Sequence, residues 1–311
     1  MDRTDVTWYG YIPAITTPFG QDGAIAWADF AAQLEWLIDQ RMDGIILAGT
    51  TGEWSSLLPE ERIRLFHEGA RHVRGRIPVL GGCNAFTARE AIIYAREAEK
   101  AGLDGILLAP PPYIVPSARE IVQFYTDVSD GSNIPLCIYN WPRGCSVDID
   151  SSTLDELADV ENIVALKNST QNTAGFLSSL YGVSDRLRVF GLPTSALGVD
   201  LALAGRGSGL MGSGGVLGSD HSDFWRAITA GDREQALRLG DRDRVLMESW
   251  FTPDYGTKFG NTAAIMKTAL RYRGVPAGVV RRPLLDLTPS EVSLVHDTLQ
   301  RLQIKAEPAR W

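Results

Sequence analysis

Three short stretches carry residues whose types could do chemistry: GTTGE (49–53), YNWP (139–142) and IVALK (163–167). The last is an apolar run of strand character that ends on Lys167. A strand buried on both faces ends where its sheet or barrel opens to solvent, so its final side chain sits at a pocket mouth. Burial disfavours the charged form of an amine, and a neutral amine can attack a carbonyl and form an imine. The chain has only five lysines, Lys100, Lys167, Lys258, Lys267 and Lys305, and of these Lys167 alone follows an uninterrupted apolar strand, the others lying in polar or helical surroundings. The competing reading is a strand-end lysine that carries its charge out to water. Tyr139 also ends an apolar run, one strand earlier. Neighbouring parallel strands lie about 5 Å apart, so phenol and amine would be close enough for general acid–base exchange. In GTTGE, glycines flank Thr50 and Thr51, a pattern that lets backbone N–H groups and hydroxyls converge on a carboxylate; an ordinary glycine turn is the alternative.

The elements that must position these residues repeat. Short apolar strands are expected at 11–16, 44–48, 77–81, 105–109, 136–139, 163–167, 187–190 and 209–211. Amphipathic helices are expected between them at 27–40, 59–73, 87–100, 117–128, 151–158, 194–204 and 220–230. Thr87 with Glu90 and Ser117 with Glu120 have capping-box spacing. Eight such units within about 250 residues predict an α/β fold of the (β/α)8 TIM-barrel type, with its chemistry in the loops after the strands. No GxGxxG follows the first strand, which argues against a doubly wound sheet. Residues 232–311 read as helices alone (234–250, 262–273 and 289–305), a C-terminal extension packed on a barrel formed by residues 1–231.

Composition removes other classes. The chain has 311 residues, 44% of them hydrophobic, and a net charge of -8, with a pI near 5.1 and no basic cluster to suggest nucleic acid. Cys83, Cys137 and Cys145 lack CxxC spacing, so free thiols in a reducing cytoplasm are expected. His67, His72, His221 and His296 form no HExxH pattern, and no metal is expected. The N-terminus does not read as a signal peptide, and no apolar run approaches the ~18 residues of a membrane span.

Taken together, GTTGE, YNWP and a strand-end lysine 28 residues after the tyrosine resemble the dihydrodipicolinate synthase and N-acetylneuraminate lyase family of pyruvate-dependent class I aldolases. The opening PAITTPF (13–19) and the late RRPLLDL (281–287) extend the resemblance over most of the chain. It implies that Lys167 forms the Schiff base with a 2-oxo acid, without any cofactor, and that Tyr139 shuttles protons. It places the carboxylate on Gly49, Thr50 and Thr51, with Thr50 also linking a proton relay. Tyr113, in PPPYIVPS (110–117), aligns with a tyrosine that a neighbouring subunit contributes, although Pro112 stands where a second tyrosine is common. A homo-oligomer, dimer or tetramer, is therefore implied.

Departures from the family pattern concern the second substrate. The synthase branch has an arginine five residues after the motif tyrosine, where this chain has Gly144, and Arg143 stands one position earlier. Trp141 puts a bulky ring in the same loop, and Trp54, Pro59 and Arg62 replace the polar residues of a lysine-feedback site. The glycine-rich run 205–215 reads either as room for the distal part of a substrate, with Gly209, Met211, Ser208 and Ser213 at the site, or as close packing at a barrel seam. The expected activity is condensation or cleavage of a 2-oxo acid with an aldehyde. A 2-keto-3-deoxy sugar acid dehydratase or aldolase is the alternative, and an inactive scaffold protein is the rival from another class.

Overall fold

The computed structural model describes residues 1–212 and 214–308, so Ser213 lies outside the described residues. Its strands are β1 (Gly10–Tyr11), β2 (Ile45–Leu47), β3 (Val79–Gly82), β4 (Gly105–Leu108), β5 (Leu136–Asn140), β6 (Ile163–Asn168), β7 (Arg188–Phe190) and β8 (Gly209–Leu210). All pair in parallel in the order β1-β8-β7-β6-β5-β4-β3-β2. The ring closes just beyond β1: Ala14 bridges Ile46, the Ile15 N–H donates to Ile46 O at 3.0 Å, and the Ile46 N–H donates to Pro13 O at 2.8 Å. The architecture is therefore a (β/α)8 barrel.

Helices α1 (Trp27–Asp39), α2 (Pro59–Val73), α3 (Ala88–Ala101), α4 (Ala118–Gly131), α5 (Pro142–Cys145), α6 (Ser151–Leu157), α7 (Thr173–Val183), α8 (Ala196–Leu203) and α9 (Ser219–Thr229) fill the crossovers. Two start as their sequences dictate: Thr87 Oγ1 accepts from the Glu90 N–H at 3.2 Å, and the Ser117 N–H donates to Glu120 Oε2 at 2.7 Å. Helix α7 has no counterpart among the predicted helices, because TAGFLSSLYGV offers small and apolar residues with no polar face to set a period. The C-terminal helices are α10 (Arg233–Trp250), α11 (Thr262–Tyr272) and α12 (Pro289–Arg301). Among these, α10 packs on α8 and α9, and α11 on α12.

Strand residues alternate between two apolar clusters. Ile12, Ala14, Ile46, Leu80, Leu107, Cys137, Ala165 and Phe190 fill the barrel interior, while Ile15, Ile45, Leu47, Ile106, Leu136, Ile138 and Leu166 face the helices. This period of two sets the direction of the strand-end residues. Tyr139 follows Cys137, and Lys167 follows Ala165, on the interior face.

Candidate active site

Strands β5 and β6 are out of step at one point: Leu136 pairs with Ile163 but Cys137 pairs with Ala165, so β6 carries one extra residue. Beyond that bulge Tyr139 stands opposite Lys167 and Asn140 opposite Asn168. Both side chains consequently rise from the same side of the barrel mouth, with Lys167 Nζ 4.1 Å from the Tyr139 ring centroid. Asn140 holds the two strand ends together. Its Nδ2 donates to Asn168 Oδ1 at 3.0 Å and to Asp148 Oδ1 at 2.7 Å, and its Oδ1 accepts from the Ile149 N–H at 3.1 Å.

Burial sets the electrostatics. It draws the Lys167 pKa down to about 8, opposed only by a small effect of Cys137, and no carboxylate contributes. Burial also raises the Tyr139 phenol well above its ordinary range, while the Ser169 and Thr50 side chains act to lower it. At neutral pH the phenol is thus a proton donor, and part of the amine population is already uncharged.

A second lysine is more deeply buried than the first. Lys267, on α11, was expected in ordinary helical surroundings, yet its side chain is fully enclosed. Its Nζ donates to Glu53 Oε1 at 2.5 Å and to Val279 O at 2.6 Å. Burial pulls this ammonium below the usual lysine range and the Glu53 carboxylate works against that pull. With its protons engaged and outside the cavity lining, Lys267 is a structural cation. Glu53 also accepts from the Arg281 N–H at 3.0 Å, and Thr17 Oγ1 donates to Gly52 O at 2.8 Å, so the 49–53 loop is fixed from behind.

A cavity of about 300 Å³ opens over the strand ends. Of the residues singled out in the sequence, Lys167, Tyr139, Thr50, Thr51 and Met211 line it together. Gly49 is buried behind the threonines. Gly209 lies in the β1–β8 seam, where an added Cβ would fall 2.0 Å from Gly10 O, as close packing requires. Arg143 is not part of the cavity lining and pairs with Asp254. Tyr113 is 91% exposed on its loop, at φ 79°, and does not reach the cavity of its own chain.

Other cavity residues gave no sequence signal of their own. Ser169 and Asn168 simply continue β6, and Tyr255, Phe251 and Met247 arrive from the C-terminal segment. His221 and Asp243 meet with Nε2 3.0 Å from Oδ1, and Tyr11 stacks on the imidazole at 3.9 Å between centroids. Among the described residues no group of three or more His, Cys, Asp or Glu side chains is arranged to hold a metal ion, and no helix is long and apolar enough to cross a membrane.

A parallel barrel with a desolvated strand-end lysine beside a phenol is an arrangement that can carry the imine chemistry of a lyase of the class I aldolase type. Residues 7–302 match the dihydrodipicolinate synthetase family, and the chain belongs to that family. It is 31% identical to 4-hydroxy-tetrahydrodipicolinate synthase of Neisseria gonorrhoeae, covering 94% of this chain and 97% of that protein. An uncharacterized DapA-like lyase of Rhizobium meliloti is 28% identical, with 97% and 98% covered. The crystal structure of dihydrodipicolinate synthase from Acinetobacter baumannii complexed with pyruvate superposes with a TM-score of 0.86 at 28% identity, covering 96% of this chain and all of that one.

Proposed function

We propose that the protein is a Schiff-base-forming lyase that condenses or cleaves a 2-oxo acid such as pyruvate with an aldehyde. The reading is carried by Lys167, held without a carboxylate partner 4.1 Å from the Tyr139 ring at the floor of the cavity. The neutral amine attacks the ketone carbon, and the oxygen takes a proton to give a carbinolamine. Loss of water gives the imine, for which Tyr139 supplies and recovers protons. Deprotonation at the neighbouring carbon yields the enamine. Thr50 and Thr51 offer hydroxyls and backbone N–H groups to the carboxylate from the opposite rim. The protonated imine is itself the electron sink, so the reading calls for no metal or organic cofactor.

We further propose a homo-oligomer, dimer or tetramer, in which the exposed Tyr113 completes a neighbour's proton relay, and a cytoplasmic location suited to three buried free thiols. A 2-keto-3-deoxy sugar acid dehydratase or aldolase shares every step through the enamine. It is favoured over aspartate semialdehyde chemistry by Gly144 and by the turning of Arg143 to Asp254, which leave the family's second carboxylate site unfurnished. The test is incubation with pyruvate, borohydride reduction and mass measurement. A stable adduct on the native chain, absent from Lys167→Ala, is expected; no adduct with any 2-oxo acid would mean a binding or scaffold role instead.

A further inference from the structure

The upper wall of the cavity is aromatic. The Trp141 indole stacks on Tyr139 with centroids 5.7 Å apart and planes 19° apart, and Tyr255 packs against it at 6.1 Å, tilted by 41°. This placement explains Gly144. A Cβ there would lie 2.2 Å from both Cδ1 and Nε1 of the indole, so no side chain fits at 144 while Trp141 stays stacked. Trp141 and Gly144 are a matched pair that sets an indole into the cavity wall at this loop.

Basic side chains near the wall are already engaged. Arg143 is held by Asp254, Arg244 by Asp241 at 3.2 Å and Glu248 at 3.0 Å, and His221 by Asp243 at 3.0 Å. The Thr194 hydroxyl is likewise spent on Asp243, donating at 3.0 Å. Leu192, Pro193, Met247 and Phe251 supply much of the remaining surface. A second carboxylate would meet no unengaged cation except Lys167 among the described residues, and it would face the Asp243 charge. Unspent polar groups remain in the lining, among them Asn168 Nδ2 and His221 Nδ1, and it is the aromatic wall that sets a flat substrate apart from a polyhydroxylated one.

We propose that the second partner of the reaction is an uncharged aldehyde with a flat, apolar body, an aromatic aldehyde above all, and that Trp141 is the residue that selects it. This rests on the imine reading above. In the condensation direction the enamine carbon attacks the aldehyde carbon, and the carbonyl π electrons pass to oxygen, which takes a proton to become a hydroxyl. Water then hydrolyses the resulting imine, releasing a 4-hydroxy-2-oxo acid and the Lys167 amine.

The test measures kcat/KM with pyruvate and each of benzaldehyde, glyceraldehyde and aspartate semialdehyde, alongside the borohydride-trapped pyruvate adduct. Benzaldehyde is expected to exceed both others at least tenfold. The benzaldehyde-to-glyceraldehyde ratio should fall tenfold or more in Trp141→Ala and be largely kept in Trp141→Phe, a comparison that cancels any general loss of folded enzyme. An adduct accompanied by preference for glyceraldehyde or aspartate semialdehyde, or a ratio unmoved in Trp141→Ala, would overturn this inference alone. Absence of the adduct would overturn the imine reading and this inference with it.

Discussion

An amine that must be neutral to react and protonated to be soluble is tuned by how much water reaches it, and at Lys167 very little does. With its pKa near 8, the rate of pyruvate trapping should rise about tenfold per pH unit below 8 and level off above it. Stopped borohydride trapping followed by mass spectrometry checks this, and a rate still climbing beyond pH 10 would identify an exposed lysine instead. Stability carries the opposite mark of the same burial. Because the folded pKa lies below the ordinary lysine value, the folded chain favours the neutral amine. The resulting destabilisation is absent above the ordinary range, grows as pH falls toward 8 and is constant below. Lys167→Met should therefore abolish activity yet stabilise the fold at pH 7 by at most about 3 kcal/mol, a gain that vanishes near pH 11 in denaturant titrations. Tyr139→Phe removes the proton carrier and leaves the amine, so turnover should drop 10²–10⁴-fold while a slowly formed adduct is still trapped.

At the scale of elements, the 49–53 loop is only as well placed as its support. Glu53 sits at φ 57°, a backbone conformation costly for a residue with a side chain, and it is held there by Lys267 from α11 and by the Arg281 N–H. Truncating one partner leaves the other charge buried and unpaired, which costs about 3–5 kcal/mol. Lys267→Met should lower the denaturation midpoint and raise KM for the 2-oxo acid several-fold more than it lowers kcat. Replacing both partners with apolar residues should recover much of the stability but not the KM, since the loop would lose its anchor. Equal loss of kcat and KM effects in both variants would reduce the pair to a purely structural role.

The whole molecule is tied together by that same contact, which joins the C-terminal helices to the rim of the barrel, and the proposed oligomer extends the site beyond the single chain through Tyr113. A tyrosine held at positive φ with its ring in solvent gains nothing within its own subunit. Complementation tests its role. Lys167→Ala and Tyr113→Phe, each nearly inactive alone, should regain measurable turnover when unfolded and refolded together, because one mixed site then has both an intact lysine and a neighbour's intact tyrosine. No recovery in an assembly shown by sedimentation to be mixed would place the relay within one subunit.

The amino-acid sequence by itself determined the eightfold strand–helix rhythm and marked Lys167 and the threonine loop as candidates, because apolar periodicity and a lysine at a strand's end are local properties. It located the phenol one strand away, but it could not orient it. That depends on the extra residue of β6, which turns Tyr139 and Lys167 to the same face, and a bulge is a property of two paired strands. Nor could it show that Lys267 is buried and engaged, since the partner Glu53 lies 214 residues away. The departure at Gly144 was visible in one dimension; that it makes room for an indole became clear only when the loop was folded over the barrel. Local chemistry is written along the chain, while direction, pairing and the use of empty space arise where distant segments meet.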